Sequence, residues 1–88
     1  MNVVFRKSFV KDLKKVKDAH VRDQVRRAIE KAEAAPDPTA LSDLKKLAGT
    51  KDCYRIRMGE YRLGIVIHGD TVEFVRCLNR RDLYRFFP

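Results

Sequence analysis

From residue 53 to residue 68 apolar and polar side chains alternate with a period of two. Tyr54, Ile56 and Met58 interleave with Cys53, Arg55 and Arg57, and Tyr61, Leu63, Ile65 and Ile67 with Arg62, Gly64, Val66 and His68. Gly59-Glu60 and Gly69-Asp70 read as two-residue turns, which predicts two hairpins whose third strand is Thr71 to Leu78. Upstream the period is nearer 3.6. After a first strand at 2–6, Ser8 is placed to cap a helix with Phe9, Leu13 and Val16 on one side and Lys11, Lys14, Lys15 and Lys17 largely on the other. Asp18 is placed to cap a second helix, where Val21, Val25, Ala28, Ile29 and Ala32 form one stripe. The run APDP at 35–38 stops it, because proline lacks an amide hydrogen and restricts the residue before it. Leu41, Leu44 and Leu47 anchor a connecting segment that closes at Gly49, and RRDLYRFFP at 80–88 reads as a helical turn or an irregular tail. The expected class is α+β: an N-terminal strand and helical hairpin on one face of a small antiparallel sheet, then a short C-terminal helix or tail, with residues 1–88 as one domain.

The hairpin turns fix a register. Met58 pairs with Tyr61, Arg57 with Arg62, Ile56 with Leu63 and Arg55 with Gly64, so Tyr54, Ile56, Leu63 and Ile65 share the face suited to the helices. Arg55, Arg57 and Arg62 share the other. Across the second turn Ile65 should face Phe74 and Arg62 should face Cys77, the strand running on towards Arg80. Strict alternation then leaves Arg76 on the core side opposite Leu63, a misfit that a rim position or a bulge would resolve. Directly opposed like charges cost a few tenths to about 1 kcal/mol, so an Arg57–Arg62 pair does not serve the fold. A bound polyanion would reverse the sign. One arginine on such a face keeps it soluble; three converging on it point to an anion site, with Gly64 either its open floor or merely the mark of a bulge.

The whole composition changes this picture little. The chain has 88 residues, 44% hydrophobic and 36% charged with no Trp, as expected of a soluble globular domain. No apolar run is long enough for a signal peptide or a membrane span, so a cytoplasmic protein without membrane partners is expected. The net charge of +8 attracts polyanions of any kind. The distribution is more telling: residues 1–50 hold eight Lys and four Arg, and residues 51–88 one Lys and seven Arg. Arginine's planar fork suits bidentate phosphate contact, which marks the second half as the working half.

Other chemistry is sparse. His20 and His68 have neither a triad partner nor metal-ligand spacing, so no metal and no cofactor are expected. Cys53 and Cys77 share a face by parity but sit about 13 Å apart at strand rise. That exceeds the limit of about 7 Å between bridged Cα atoms, so no disulfide is expected. Tyr84, four residues beyond Arg80, could pack its ring under the sheet or serve the arginine face.

DCYRIRMGEYRLGIVI at 52–67 and RCLNRRDLYRFFP at 76–88 resemble the RelE/ParE superfamily of type II toxin-antitoxin toxins, the RelE-like mRNA interferases in particular. The likeness spans essentially the whole chain, and it implies a single RelE-like toxin domain over 1–88. It further implies an endoribonuclease that cuts mRNA in the ribosomal A site. There the 2′-hydroxyl attacks the adjacent phosphate, leaving a cyclic phosphate and a 5′-hydroxyl, and translation stops. By position, Arg62 matches the family arginine after Gly-x-Tyr, Arg80 the arginine ending the last strand, and Tyr84 the C-terminal tyrosine; these three are the implied catalytic residues. Arg55, Arg57 and Arg81 are the implied RNA-phosphate contacts. Asn79 stands where many relatives have His, which removes a histidine acid-base role. The guanidinium groups of Arg55 and Arg57 stay protonated and can only stabilise charge.

The implied partners are mRNA on the ribosome and a cognate antitoxin, with operator DNA reached only through that antitoxin. Two other readings stand beside this one. A ParE-like relative of the same fold would poison DNA gyrase. A non-catalytic RNA-binding module would need exposed aromatics among the arginines, whereas Tyr54 and Tyr61 have core parity.

Overall fold

The computed structural model describes residues 1–88, in which five strands and three α-helices follow one another along the chain. Strand β1 (Asn2–Phe5) leads into helices α1 (Lys7–Lys15) and α2 (Ala19–Ala34); a short 3-10 turn and β2 (Leu44–Lys46) follow. Then come β3 (Cys53–Met58), β4 (Tyr61–His68), β5 (Thr71–Asn79) and α3 (Leu83–Phe86). The strands form one sheet in the order β1-β5-β4-β3-β2. The α+β class is as expected, with one refinement: β1 is an edge strand of the sheet itself and pairs with β5 in parallel, so the sheet is mixed. No helix is long and apolar enough to cross a membrane.

Local chemistry accounts for most boundaries. The Asp18 side chain accepts hydrogen bonds from the backbone N–H groups of His20 and Val21, satisfying donors that the first turn of α2 leaves unpaired. Gly59 and Gly69 take φ of 58° and 54°, the left-handed region that tight hairpin turns require. Val21, Val25 and Ala32 of the α2 stripe are buried, Ala28 and Ile29 partly so. They pack with Phe9, Ile56, Leu63, Ile65, Val72 and Phe74 in the main core, where the Phe9 and Phe74 rings lie 5.4 Å apart. Tyr54 and Tyr61 lean on this core, as their parity requires.

Four expectations fail, each for a stated reason. Leu44 does not sit in a plain connector: residues 44–46 pair antiparallel with Tyr54 to Ile56 as β2, a strand too short to show a period. Ser8 caps nothing. The helix begins at Lys7 without a side-chain cap, and Ser8 Oγ instead donates to the carbonyl of Val75 at 2.6 Å. Finally, Arg62 faces Leu78 rather than Cys77, because the register slips between Gly64 and Ile65 and leaves Val75 unpaired in β5. The bulge resolves the Arg76 misfit by setting Arg76 opposite Gly64, on the arginine side. It also sends Cys77 into the main core while Cys53 joins a second cluster across the sheet, so the two free thiols lie on opposite faces rather than sharing one.

The bulge is held from outside the sheet. β1 covers the edge of β5 only as far as Phe74; beyond that α1 supplies the partners. Asp12, buried in the flank of α1, accepts from the Cys77 N–H at 3.0 Å and from the Arg76 guanidinium at 2.7 and 3.0 Å. Side chains of α1 thus finish a strand edge that would otherwise be left open. Removing one partner of a buried pair leaves a charge uncompensated, so Asp12→Ala should cost about 3 kcal/mol of unfolding free energy. Urea titration checks this; a loss below about 1 kcal/mol would show that the edge is satisfied otherwise.

Candidate active site

The side of the sheet away from α1 and α2 is not a bare basic surface. Helix α3 folds across it, and Leu83 and Phe87 pack on Leu47 and Cys53 in a second, smaller core flanked by Val66, Val75 and Leu78. Gly64 is therefore not an open floor. A Cβ built there would meet the Phe87 ring at 2.8 Å, so the glycine marks both the bulge and the close approach of an aromatic ring. Sequence parity puts Gly64 on this face but says nothing of what covers it.

The arginines surround the covered patch. The register of β3 against β4 is as expected, with Arg57 opposite Arg62 and Arg55 opposite Gly64. Arg62 is half-buried, its guanidinium pinned by the carbonyls of Gly59 at 2.6 Å and Tyr61 at 2.9 Å. Burial, followed by the positive charges of Arg55 and Arg57, lowers its pKa; Arg80 adds to this, and the Tyr84 phenol, negative when ionised, acts the other way. Arg55 donates to the carbonyl of Asp43 at 2.9 Å, and Arg80 pairs with Glu60 at 3.0 Å across the turn. Of these four arginines only Arg80 has a carboxylate partner, an exposed pair that contributes little. Arg55 and Arg62 are oriented by backbone oxygens, which aim a guanidinium without cancelling its charge.

Tyr84 does not pack under the sheet. It stands 60% exposed on α3, on the arginine side. Arg81 is not drawn into the group; it is exposed in the turn after β5, its N–H bonded to the Asn79 side chain at 3.1 Å. His68 lies farther along β4, between Asp52 at 3.3 Å and Glu73 at 3.6 Å. It is about 20 Å from Arg62 at strand rise and no candidate base for this site.

Sequence reading missed Asp43 and Glu60, which hold Arg55 and Arg80, and Phe87, which covers Gly64. Only Phe87 left a trace: a terminal aromatic pair and an unexplained glycine in an apolar strand.

Comparison with known proteins places the chain and its fold among relatives. Residues 3–84 match the family described as the ParE toxin of the type II toxin-antitoxin system parDE. Over 89 residues, covering the whole of both chains, the sequence is 44% identical to Toxin RelE3 of Methanocaldococcus jannaschii. The fold is similar to that in the crystal structure of the RelB-RelE antitoxin-toxin complex from Methanococcus jannaschii, with a TM-score of 0.81 and 42% identity over 97% of this chain and 99% of that one. It is also similar to that in the archaeal RelE-RelB complex from Pyrococcus horikoshii OT3, with a TM-score of 0.71 and 28% identity over 90% and 93% of the two chains.

The unneutralised cluster should weaken the free protein. Arg57→Gln should raise stability by about 0.5 kcal/mol, or ~2–4 °C in Tm for a domain of this size. Added salt should shift the wild type upward more than the variant. A Tm that falls, or an equal salt response in both, would show that the charges do not act on one another.

Proposed function

The chain belongs to the RelE/ParE superfamily of type II toxin-antitoxin toxins, and from that premise we propose that it is a RelE-like, ribosome-dependent endoribonuclease formed by a single domain over residues 1–88. The observation that carries this is the arginine face: Arg57 stands opposite Arg62 with Arg55 on the same face, none of the three paired with a carboxylate, while Arg80 and Tyr84 follow on the segment beyond β5. Such a cluster is suited to the charge that builds up on a phosphate under attack. Arg55 and Arg57 grip the RNA backbone, with Arg81 extending the track from the neighbouring turn.

In the cleavage step the 2′-oxygen bonds to phosphorus and the P–O5′ bond breaks, giving a cyclic phosphate and a 5′-hydroxyl. Tyr84 accepts the hydrogen bond of the 2′-hydroxyl and holds it in line, the proton passing to solvent. Arg62 faces the non-bridging oxygens, and Arg80 neutralises the leaving 5′-oxygen, which then takes up a proton. No group at the site has an ordinary pKa near 7, so the rate depends on substrate placement, which the ribosomal A site supplies.

A cognate antitoxin is the second partner, in keeping with the complexes in which the solved relatives occur. The net charge of +8 suits an acidic segment on it. Operator DNA would be reached only through that partner, and the protein would act in the cytoplasm. The gyrase-poisoning alternative shares the fold and the family description. The arginine cluster beside an exposed tyrosine favours RNA, since a protein target needs no such concentration of phosphate-binding groups.

Arg62→Ala and Arg80→Ala should each lower cleavage of ribosome-bound mRNA about 100- to 1000-fold. Primer extension after brief expression should show cuts inside translated reading frames. Wild-type cleavage by both variants would remove the site assignment, and DNA damage in place of cut mRNA would favour gyrase.

A further inference from the structure

Tyr84 is exposed, on a helix of only four residues, and no side-chain hydrogen bond holds its phenol. A short helix is marginal by itself, so whatever holds Tyr84 on this side of the sheet must lie in the packing of the segment that carries it. Two contacts do this. Leu83 and Phe87, four residues apart, present one face to the sheet; both are buried, and the Phe87 N–H closes the turn on the Leu83 carbonyl at 2.8 Å. The Phe87 ring lies flat against backbone that only glycine leaves bare, two residues along β4 from Arg62 and opposite Arg55. Phe86 supplies the second contact: the Arg76 guanidinium, itself held by Asp12, lies 5.7 Å from its ring centroid.

We infer that Phe87, seated on the bare backbone of Gly64, is a positioning residue that sets the Tyr84 phenol against Arg62. The inference rests on the functional reading above and adds to it the contact that assembles the site. Gly64 is fixed by this as firmly as by the bulge. A methyl group there would displace the ring, and with it a tyrosine three residues away on the same turn.

The seat contains its own reporter. Cys53 is 8% exposed in the same small cluster as Leu83 and Phe87, while Cys77 is 2% exposed in the main core. Burial raises the pKa of both thiols, that of Cys77 to about 11. Each cysteine is therefore compared with itself in the wild type.

In the full chain, Phe87→Ala should speed iodoacetamide alkylation of Cys53 at least ~10-fold and leave Cys77 protected, as buried groups react only when locally exposed. On ribosome-bound mRNA the same variant should lose ~10- to 100-fold in kcat with KM nearly unchanged, because misplacement costs the reaction rather than binding. Phe87→Leu should recover most of both, and Gly64→Ala should behave like Phe87→Ala. Pairing Gly64→Ala with Phe87→Leu should recover cleavage relative to Gly64→Ala alone, since the smaller side chain makes room for the methyl. A purely structural role would give no such compensation in kcat.

Cys53 remaining protected in Phe87→Ala, or opening while kcat stays at the wild-type value, would overturn the inference. If Phe87→Ala exposes Cys77 as well, Phe87→Leu decides by the same two readouts. If the wild type cuts no ribosome-bound mRNA, the functional reading falls and takes the catalytic part of the inference with it. Cys53 protection still shows whether Phe87 holds the segment.

Discussion

Beyond Phe74 the outer edge of β5 has no strand beside it, and the way α1 satisfies that edge decides which side of the sheet each later residue faces. Val75 is the extra residue in the ladder. Its carbonyl is taken by Ser8, the next free N–H, of Cys77, by Asp12, and the side chain between them, Arg76, by the same carboxylate. Without the slip, Arg76 would enter an apolar core and Cys77 would face the arginines. A buried charge would then lack a partner, an arrangement costlier than the unpaired backbone of one bulge. Asp12 therefore links helix, strand edge and bulge, and through Arg76 it reaches the ring of Phe86 on the far side of the sheet.

The sheet in consequence carries two cores of unequal size. The larger, against α1 and α2, holds the fold together, while the smaller is a patch formed by Leu47, Cys53, Leu83 and Phe87. The arginines stand at the margin of the smaller one. That margin is where a guanidinium loses part of its water and stays accessible, as the half-buried Arg62 does. An entirely exposed sheet face would leave these charges screened, and a fully covered one would shut them off. The segment that carries Tyr84 thus also sets the electrostatics of the residues it faces.

The family description names ParE and the curated relative is named RelE3, so family membership alone does not choose a target. The choice proposed above rests on side chains: Arg55 and Arg62, held by carbonyl oxygens on the face they share with Arg57, and an exposed phenol on the segment that covers that face. The absence of an acid-base group with a pKa near neutrality sets that site apart from nucleases that work on free RNA by histidine chemistry. It is the chemical reason for expecting the ribosome to take part.

Alternation and turn residues were enough to determine the α2 cap at Asp18, both hairpin turns, the pairing of β3 with β4 and the shared face of Arg55, Arg57 and Arg62. All of these depend on neighbours a few residues apart, whose geometry a period or a turn type dictates. Asp12 was also within reach, since an acid in the stripe of Phe9, Leu13 and Val16 asks for a buried partner. Which partner it finds, the parallel placement of β1, the slip at Val75 and the seat of Phe87 on Gly64 were decided only by the tertiary structure. They depend on contacts between residues more than twenty positions apart, where many pairings satisfy the same pattern and only packing and hydrogen-bond satisfaction in three dimensions select one.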